Sequence, residues 1–293
     1  MTDQTLDCVV RFHNPQRLNE LSRCVFSLLG QKHRPLNIII SLQRFSEADV
    51  AAVREALQPL FDLPEAPQLT ICNLEQSTPA DARTLLLNMG ISAAAGRYLA
   101  FLDYDDVLYP EAYSLLRERL RQSDAAIAFA SVRVVRADVF PTFLYVREQV
   151  EKPFGPGDRL RDLFDGNFCP IHSFLIDRHK VQEADLIFDS TLTWEEDYDL
   201  LLRICAKYKS DFHLIGKVIG DYYYKTDASN SIPVNGIHAS DKLQAYERVS
   251  IMIEARRRTT LVAESVQAEY GLVPTRSDMS IRDFMAAVPG RTY

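Results

Sequence analysis

The residues best suited to chemistry are three carboxylates that follow a short apolar run. The run YLAFL, residues 98–102, predicts a buried strand, and Asp103, Asp105 and Asp106 come directly after it. Carboxylates this close together repel one another and lose hydration when buried, so a cation or a polar ligand should share their space. Their oxygens suit Mg²⁺ or Mn²⁺, which complete their coordination with water and substrate phosphates. The alternative is an acidic run facing the helix predicted from Pro110, where negative charge is favourable.

A second acidic group lies at the start of a predicted amphipathic helix. Glu195, Glu196 and Asp197 are consecutive, and Trp194, the single tryptophan of the chain, precedes them. A carboxylate here could act as a general base that accepts the proton of an attacking hydroxyl. The flat ring of Trp194 would suit a sugar, although a tryptophan in the core fits the pattern equally. The alternative for the acidic group is a first helical turn, where carboxylates interact favourably with the helix dipole.

Strands and helices alternate along the first half of the chain. Apolar, β-branched runs predict the strands, and apolar residues at helical spacing predict the helices between them. The predicted strands are 6–12, 36–42, 68–74, 98–102 and 125–135, and the predicted helices are 15–31, 46–61, 80–95 and 111–123. This order indicates an α/β fold with βαβ units, a doubly wound, mostly parallel sheet and helices on both faces. Ligands bind beyond the carboxyl ends of strands in such sheets, where the cluster at Asp103 lies.

The second half of the chain is less regular. Proline and glycine in the segment 140–158 predict a mobile loop. The remaining predictions are a short helix at 159–167, a strand at 171–177, a helix at 193–208 capped by Thr193, and one or two strands at 211–226. From about residue 237 a helical pattern predicts an α-helical appendage, with a looser tail after Pro274.

Composition limits the classes of function. A chain of 293 residues, 47% of them hydrophobic, is long enough for one α/β domain plus an appendage. The net charge of −7 disfavours nucleic acid as a partner, because binding to phosphates needs a basic surface. The N-terminus lacks the pattern of a secretory leader, and no run approaches the ~18 apolar residues of a membrane span. Five scattered cysteines indicate reduced thiols and a cytoplasmic location.

Four segments of the chain carry a resemblance to a known family. They are, in order, VVRFHNPQRLNELSRCVFSLLGQ, NMGISAAAGRYLAFLDYDDVLYPEAY, WEEDYDLLLRI and YYYKTDASNSI. Over roughly residues 6–232 the chain resembles the inverting glycosyltransferases of the large family two, which have the nucleotide-sugar-binding GT-A fold. The resemblance implies a GT-A glycosyltransferase domain at 1–232 and a C-terminal helical extension at 233–293.

The resemblance also implies a role for each acidic residue. Asp103 would contact the nucleotide of the donor, and Asp105, supported by Asp106, would ligate a Mn²⁺ or Mg²⁺ ion that bridges the diphosphate. Asp197 would be the general base, with Glu196 beside it. The implied reaction is a single in-line displacement, in which an acceptor hydroxyl attacks the anomeric carbon and its configuration inverts.

Four further residues are assigned to nucleotide-sugar binding: Arg83, Gln43, Phe12 and Trp194. Arg83 stands where the family often has a basic residue facing the nucleotide. Gln43 replaces an aspartate that commonly pairs with the nucleobase, and Phe12 belongs to the turn Phe-His-Asn, which replaces a Pro-Thr-Tyr-Asn type of turn. In the late segment Thr226 replaces a histidine, and Lys225 beside it could offer charge.

The implied partners are a nucleotide-diphospho-sugar donor and a glycan or lipid-linked acceptor, in the assembly of a surface polysaccharide. Peripheral membrane contact at the inner membrane face, through Arg256, Arg257 and Arg258, stays open beside the alternative of a solvated helix face. A homodimer through the C-terminal helix is equally open. His172 could face the acceptor or be a packed residue.

Two rival functions are retained. A nucleotidyltransferase also holds a metal ion on carboxylates in an α/β sheet, but RFHNPQR, residues 11–17, lacks the glycine of a triphosphate-binding loop. The other rival is a catalytically silent GT-A-like module that binds a glycan or a protein partner. Turnover of a donor, lost on Asp197→Asn substitution, would separate an enzyme from such a module.

Overall fold

A single mixed sheet with helices packed on both faces forms the body of the protein. The computed structural model describes residues 4–140, 142–151, 154–226 and 240–290. Within these ranges the strands are β1 Leu6–Phe12, β2 Leu36–Gln43, β3 Gln68–Leu74, β4 Tyr98–Asp103, β5 Val107–Leu108, β6 Ile127–Val139, β7 Leu144–Val150, β8 Phe174–Asp177 and β9 Ser210–Lys225. The helices are α1 Leu18–Leu29, α2 Glu47–Phe61, α3 Arg83–Ala93, α4 Ala112–Gln122, α5 Leu160–Asp165, α6 Glu196–Lys207, α7 Ser240–Thr259, α8 Glu264–Glu269 and α9 Ile281–Ala287.

The sheet has the predicted doubly wound order. Its strands lie in the order β3-β2-β1-β4-β8-β6-β9-β5, and β7 pairs with β6. The first four are parallel, whereas β8 is antiparallel to both of its neighbours. Because β2 and β4 flank β1 on opposite sides, the chain order reverses there, and a crevice opens at the carboxyl ends of β1 and β4. The register pairs Arg11 of β1 with Asp103 of β4 at this edge.

The strand β1 shows why the sheet centre is buried on both faces. Every residue of LDCVVRF is buried except Arg11, which is partly exposed. A parallel strand covered on both sides is mostly apolar. Its two charged residues differ in exposure: Asp7 is buried near the start, and Arg11 is partly exposed near the carboxyl end. The helix α1 covers one face with buried side chains at helical spacing, namely Leu21, Cys24, Val25 and Leu28.

Gly90 explains part of the Asn-x-Gly motif in α3. A Cβ at this position would lie 2.3 Å from Cγ1 of Val9, so only glycine allows α3 to pack this closely on β1. Two residues earlier, Asn88 exchanges two hydrogen bonds with the backbone of Phe188, at 2.9 and 2.8 Å. The motif therefore fixes the helix against the sheet and ties it to the segment that precedes α6.

Three local predictions are corrected by the structure. The segment predicted as a mobile loop contains β7, which pairs antiparallel with β6 and extends the sheet. The helix α6 is not capped by Thr193; it begins after Glu195, whose backbone is left-handed with φ of 53°. The tail after Pro274 contains the helix α9, and Ser280 forms a bridge to Leu261.

The C-terminal helices share a hydrophobic cluster with the sheet domain. Val249 and Ile253 of α7 and Phe284 of α9 belong to the same buried cluster as Leu201 of α6 and Phe164 of α5. The extension is thus packed on the helix that carries the second acidic group. The predicted boundary between residues 232 and 233, and residues 227–231 of the motif KTDASNS, lie outside the described residues.

Candidate active site

Two adjoining cavities open at the carboxyl ends of β1 and β4. Their volumes are about 320 Å³ for the first cavity and about 280 Å³ for the second. Four residues line both of them: Arg11, Arg83, Asp103 and Tyr222. The first cavity adds mostly polar side chains, namely His13, Gln43, Asp81, Tyr104, Asp105, Asp106 and Tyr223. The second adds Phe154, Asn167, Pro170, Ile171, Trp194, Glu195, Glu196, Asp197 and Tyr246. The two predicted acidic groups therefore lie in neighbouring cavities.

Arg11 connects the two acidic groups. Its Nε and Nη2 donate to the two carboxylate oxygens of Asp103 at 2.5 and 2.9 Å, and its Nη1 donates to Glu196. Burial alone would raise the pKa of Asp103, but the guanidinium of Arg11 holds it below its usual value. Arg83 lies on the other side of Glu196, with Nη1 at 3.9 Å from Oε2, and pairs with Asp81 at 2.8 Å. The wall between the cavities is thus built of alternating positive and negative side chains.

Asp105 is held by a buried lysine. The Nζ of Lys225, at the end of β9, lies 2.6 Å from Oδ2 of Asp105, and only 2% of the Lys225 side chain is exposed. The same ammonium lies 5.5 Å from the ring centroid of Tyr104. A buried ammonium needs a close counter-ion because its loss of hydration is costly, so this pair ties the end of β9 to the loop after β4.

Asp106 lies in the floor of the first cavity. It is 2% exposed, and its Oδ1 accepts the backbone N–H of Tyr223 at 2.8 Å. Burial, together with the charges of Asp105 and Asp103, raises the pKa of Asp106 well above its usual value. His172 is also buried, with Nδ1 3.5 Å from Oδ2 of Asp106, and burial lowers its pKa to about 4. His172 is therefore a packed, neutral residue beside the cavity floor.

The donor set does not fit the Mn²⁺ or Mg²⁺ ion predicted at Asp105 and Asp106. Asp106 is buried against the backbone of β9, and one oxygen of Asp105 is taken by Lys225. Among the residues that the structure describes, no group of three or more His, Cys, Asp or Glu side chains is placed to hold a metal ion. A divalent cation on Asp105 would also lie close to an ammonium that repels it. The metal site predicted at Asp105 and Asp106 therefore stays a prediction that these contacts do not favour.

Asp197 lines the second cavity, and its surroundings raise its pKa. Burial, and then the charge of Glu196, raise the pKa of Asp197 to about 7. Its Oδ1 accepts the N–H of Tyr198 at 2.7 Å and faces Nδ2 of Asn167 at 3.4 Å. A carboxylate with a pKa near neutrality is matched to the work of a general base at physiological pH. The predicted catalytic pair, Asp197 and Glu196, is brought together at the start of α6.

The turn that precedes α6 directs the carboxylates of Glu196 and Asp197 into the second cavity. Glu195 adopts φ of 53° and ψ of 26°, a left-handed conformation that costs a side chain-bearing residue about 1–2 kcal/mol. This conformation directs the chain sharply into the helix, so that both Glu196 and Asp197 reach the cavity. Burial raises the pKa of Glu195.

The residues predicted for nucleotide-sugar binding have different positions. Arg83 and Gln43 line the first cavity, where Nε2 of Gln43 donates to the carbonyl of Ala80 at 2.9 Å. Trp194 lines the second cavity and packs against Tyr246, with ring centroids 6.1 Å apart. Phe12 is fully buried, and it lines neither cavity. Its assignment to nucleotide-sugar binding stays a prediction; in the structure its ring packs against Tyr104, with centroids 5.0 Å apart.

Several side chains of the site were missed from the sequence, among them Arg11 and Tyr246. Arg11 is a charged residue near the end of a mostly apolar strand, which is the signal that could have found it. Tyr246 on α7 gave no signal, since its contact with Trp194 joins distant parts of the chain. Thr226, which stands where the family often has a histidine, donates a hydrogen bond from its hydroxyl to Asp138.

Two arginines of the basic run on α7 pair with residues of α6. Arg256 pairs with Asp199 at 2.6 Å, and Arg257 donates to the hydroxyl of Tyr198 at 2.9 Å.

Comparison with known proteins identifies the class. The fold is the GT-A fold: the crystal structure of S. aureus TarS residues 1–349 aligns with a TM-score of 0.60 over 97% of this chain and 72% of that chain, at 12% identity. The same S. aureus protein in complex with UDP-GlcNAc aligns with a TM-score of 0.59 over 90% of this chain and 71% of that chain, at 13% identity. At such low identity these likenesses show the fold alone.

The chain belongs to glycosyl transferase family 2, whose family model matches residues 7–184. This confirms the resemblance stated from the sequence. The matched range includes Asp103 and Asp105 but ends before Asp197. A curated relative is the succinoglycan biosynthesis protein ExoO of Rhizobium meliloti (strain 1021), 27% identical over 192 residues, which are 63% of this chain and 51% of that protein. The chain thus spans about half the length of this curated relative.

In the part of the chain that the structure describes, no helix is both long enough and apolar enough to cross a bilayer.

Proposed function

We propose that the protein transfers a sugar from a nucleotide-diphosphate donor to a hydroxyl of a glycan or glycolipid acceptor, with inversion at the anomeric carbon. The observation that carries the proposal is the pair of adjoining cavities, which share Arg11, Arg83, Asp103 and Tyr222. One cavity is polar and lies at the carboxyl ends of β1 and β4. The other holds a carboxylate whose pKa is about 7.

The first cavity is assigned to the donor. It lies at the switch point of the sheet, where doubly wound folds bind nucleotides. Gln43 offers an amide for a nucleobase, and Arg83 with Arg11 offers guanidinium groups for a diphosphate. Asp103, as paired with Arg11, presents carboxylate oxygens to the ribose side. The S. aureus relative whose complexes hold UDP and UDP-GlcNAc supports a nucleotide donor.

The second cavity is assigned to the acceptor. Trp194 and Tyr246 give it aromatic walls, which suit the apolar face of a sugar ring. Asp197 stands on its wall, where it would accept the proton of the attacking hydroxyl. Glu196, tied to Arg11, connects this wall to the donor cavity.

The proposed reaction is a single displacement. The acceptor oxygen forms a bond to the anomeric carbon while its proton passes to Asp197, and the bond from that carbon to the diphosphate oxygen breaks. The electron pair leaves with the diphosphate, whose added negative charge the guanidinium groups of Arg11 and Arg83, which line the donor cavity, would stabilise. Attack opposite to the leaving group inverts the configuration.

The biological setting is also a proposal. The relative from Rhizobium meliloti is a succinoglycan biosynthesis protein, which supports a surface polysaccharide as the product here. A cytoplasmic location, contact with the inner membrane face and a homodimer stay predictions. Membrane contact through the basic run would rest mainly on Arg258, because Arg256 and Arg257 point toward α6.

Donor binding and donor turnover test the proposal separately. UDP, GDP, dTDP and CMP are screened by thermal shift, and the sugar nucleotides of the best binder are assayed for transfer or hydrolysis. We expect one nucleotide to bind, and Asp197→Asn to bind it equally while turnover falls by about 10²–10⁴-fold. Asp278→Asn is the control. Asp278 is an exposed residue that pairs with Arg276 on the surface, and this variant should keep full turnover. Binding without turnover in the unmodified protein would favour the silent module, and no binding would overturn the proposal.

A further inference from the structure

A buried ammonium stands where the sequence predicts a metal ion. Lys225 lies 2.6 Å from Asp105, and 2% of its side chain is exposed. Asp105 is the carboxylate to which the resemblance assigns the metal. In the protein as folded, the positive charge beside this carboxylate comes from the chain itself.

The other carboxylates of the first cavity are paired as well. Asp103 accepts two hydrogen bonds from Arg11, and Asp81 pairs with Arg83 at 2.8 Å. Asp106 is buried, and its Oδ1 accepts the backbone N–H of Tyr223. The charges of Asp81, Asp103 and Asp105, which would otherwise repel a diphosphate, are each paired with a cationic side chain of the protein rather than with a divalent cation.

We propose that Lys225, acting on Asp105, replaces the divalent cation in this site, so that a nucleoside diphosphate binds without Mn²⁺ or Mg²⁺. Lys225 acts as a positioning residue, because it neutralises Asp105 from behind the cavity wall. The guanidinium groups of Arg11 and Arg83 line the same cavity and would be the groups that contact the diphosphate. The proposal rests on the proposed function, since it concerns how that donor is held.

Removal of the ammonium should convert the site to metal dependence. Lys225→Met keeps a long side chain but leaves Asp105 as an unpaired carboxylate at the cavity. A free carboxylate repels the diphosphate until a divalent cation binds between them, since oxygen ligands and phosphates together suit Mn²⁺. Lys225→Arg keeps the charge and should keep metal-free binding.

The test is calorimetric titration of UDP, GDP and dTDP, each in EDTA and in Mn²⁺. For the unmodified protein we expect the best binder to have the same affinity in both, within about twofold. For Lys225→Met we expect affinity in EDTA to fall at least tenfold and Mn²⁺ to restore it. Lys32→Met removes a lysine from a pair with Glu111 that is more than half exposed, and it should behave as the unmodified protein.

The failure modes are distinct. If the unmodified protein binds a nucleotide only with Mn²⁺, or if Lys225→Met binds as the unmodified protein does in EDTA, this inference is overturned and the proposed function stands. If no nucleotide binds in either condition, the proposed function itself fails. Should Lys225→Met not fold, the double variant Lys225→Met with Asp105→Asn removes both charges. Because replacing both members of a buried pair is tolerated, it should fold, bind without metal and show no response to Mn²⁺; a response would overturn the inference.

Discussion

Arg11 and Asp103 form a two-point ion pair, in which Nε and Nη2 of the arginine donate to both carboxylate oxygens at 2.5 and 2.9 Å. The same guanidinium donates through Nη1 to Glu196. One side chain therefore neutralises a carboxylate in each cavity. A lysine, with a single point of charge, could not make the same three contacts.

Loss of Arg11 should affect both stability and the pH dependence of turnover. Arg11→Gln removes the ion pair of Asp103 and leaves the buried Glu196 with only the longer contact to Arg83, so we expect a loss of about 3 kcal/mol in the free energy of unfolding. Burial and Glu196 raise the pKa of Asp197 to about 7, and Arg11 opposes that rise. Without Arg11, the acid limb of the pH–rate profile should therefore move to higher pH, with turnover lower by about 100-fold.

Urea unfolding and a pH–rate profile check the prediction for Arg11. Arg121→Gln is the matched control, because Arg121 is 65% exposed and pairs with Glu118 on the surface. The control should lose no more than about 0.5 kcal/mol. An unmoved acid limb in Arg11→Gln would contradict the link between the cavities.

Asp197 should lower the stability of the protein above neutral pH. Its pKa is about 7 in the folded state against an ordinary value of 3.8, so the folded state holds the proton more tightly. The carboxyl therefore costs nothing below about pH 4, and its cost grows as the pH rises to about 7. Asp197→Asn should be more stable than the unmodified protein by roughly 2–4 kcal/mol at pH 8, at about 1.4 kcal/mol per pKa unit.

Chemical denaturation at several pH values measures this effect. The gain from Asp197→Asn should be small at pH 4.5 and should grow through pH 7. A gain that does not change with pH would show that the pKa of Asp197 is ordinary. A loss of stability at pH 8 would indicate that the carboxylate is held by hydrogen bonds that an amide cannot replace.

The left-handed turn at Glu195 should favour glycine. Glu195→Gly and Glu195→Ala both remove the carboxylate. Only alanine, which has a Cβ, keeps the steric strain of a backbone with φ near 53°. We expect the glycine variant to be more stable than the alanine variant by about 1 kcal/mol in the free energy of unfolding. Thermal and urea unfolding of the two variants measure the difference.

The same pair of substitutions inside a helix gives the control for Glu195. Glu55 is an exposed residue of α2, where glycine should be less stable than alanine by about 1 kcal/mol. The sign of the difference should therefore invert between the two positions. An equal sign at both would mean that the left-handed conformation is not kept in solution.

Arg256 should attach α7 to α6. It pairs with Asp199 at 2.6 Å and with Asp189 at 3.1 Å, and Asp199 is 2% exposed. Arg256→Ala should cost about 2 kcal/mol, because it removes charged hydrogen bonds from a buried carboxylate. Arg258, two residues on and 61% exposed, should cost less than about 0.5 kcal/mol when changed to alanine.

Urea unfolding separates these two variants, and hydrogen exchange of α7 locates the effect. Exchange of its backbone amides should speed up in Arg256→Ala and stay unchanged in Arg258→Ala. Equal losses in the two variants would contradict the anchoring role of Arg256.

The elements of the sheet domain could be predicted because they follow from local patterns. The strands β1 and β3 coincide with the predicted ranges, because each is an uninterrupted run with clear boundaries. The strand β7 could not be predicted in the same way. Its residues, LYVREQV, are mostly exposed, and pairing with β6 rather than burial makes them a strand. The start of α6 was also missed, since a left-handed glutamate has no sequence signal.

The acidic members of the candidate site and Arg83 could be predicted, but the ion pairs that Arg11 and Lys225 form with the carboxylates could not. Asp103, Asp105 and Asp197 stand at element boundaries, where carboxylates attract notice. Their cationic partners lie on strands, and only the pairing of those strands in the sheet brings them close. Arg11 of β1 lies opposite Asp103 of β4, and Lys225 at the end of β9 pairs with Asp105. A metal ion was predicted because the sequence displays the negative charges together and the compensating charges far apart.

The packing of α7 on α6 also bears on how such chains can diverge. Asp199 lies two residues from Asp197, and Arg256 from the C-terminal extension is one of its counter-ions. A recombination event that exchanged the C-terminal helices alone would leave this buried carboxylate without that partner and expose the apolar side of α6. We therefore expect α6 and α7 to be inherited together, as one unit of exchange, while segments that do not cross this contact vary independently.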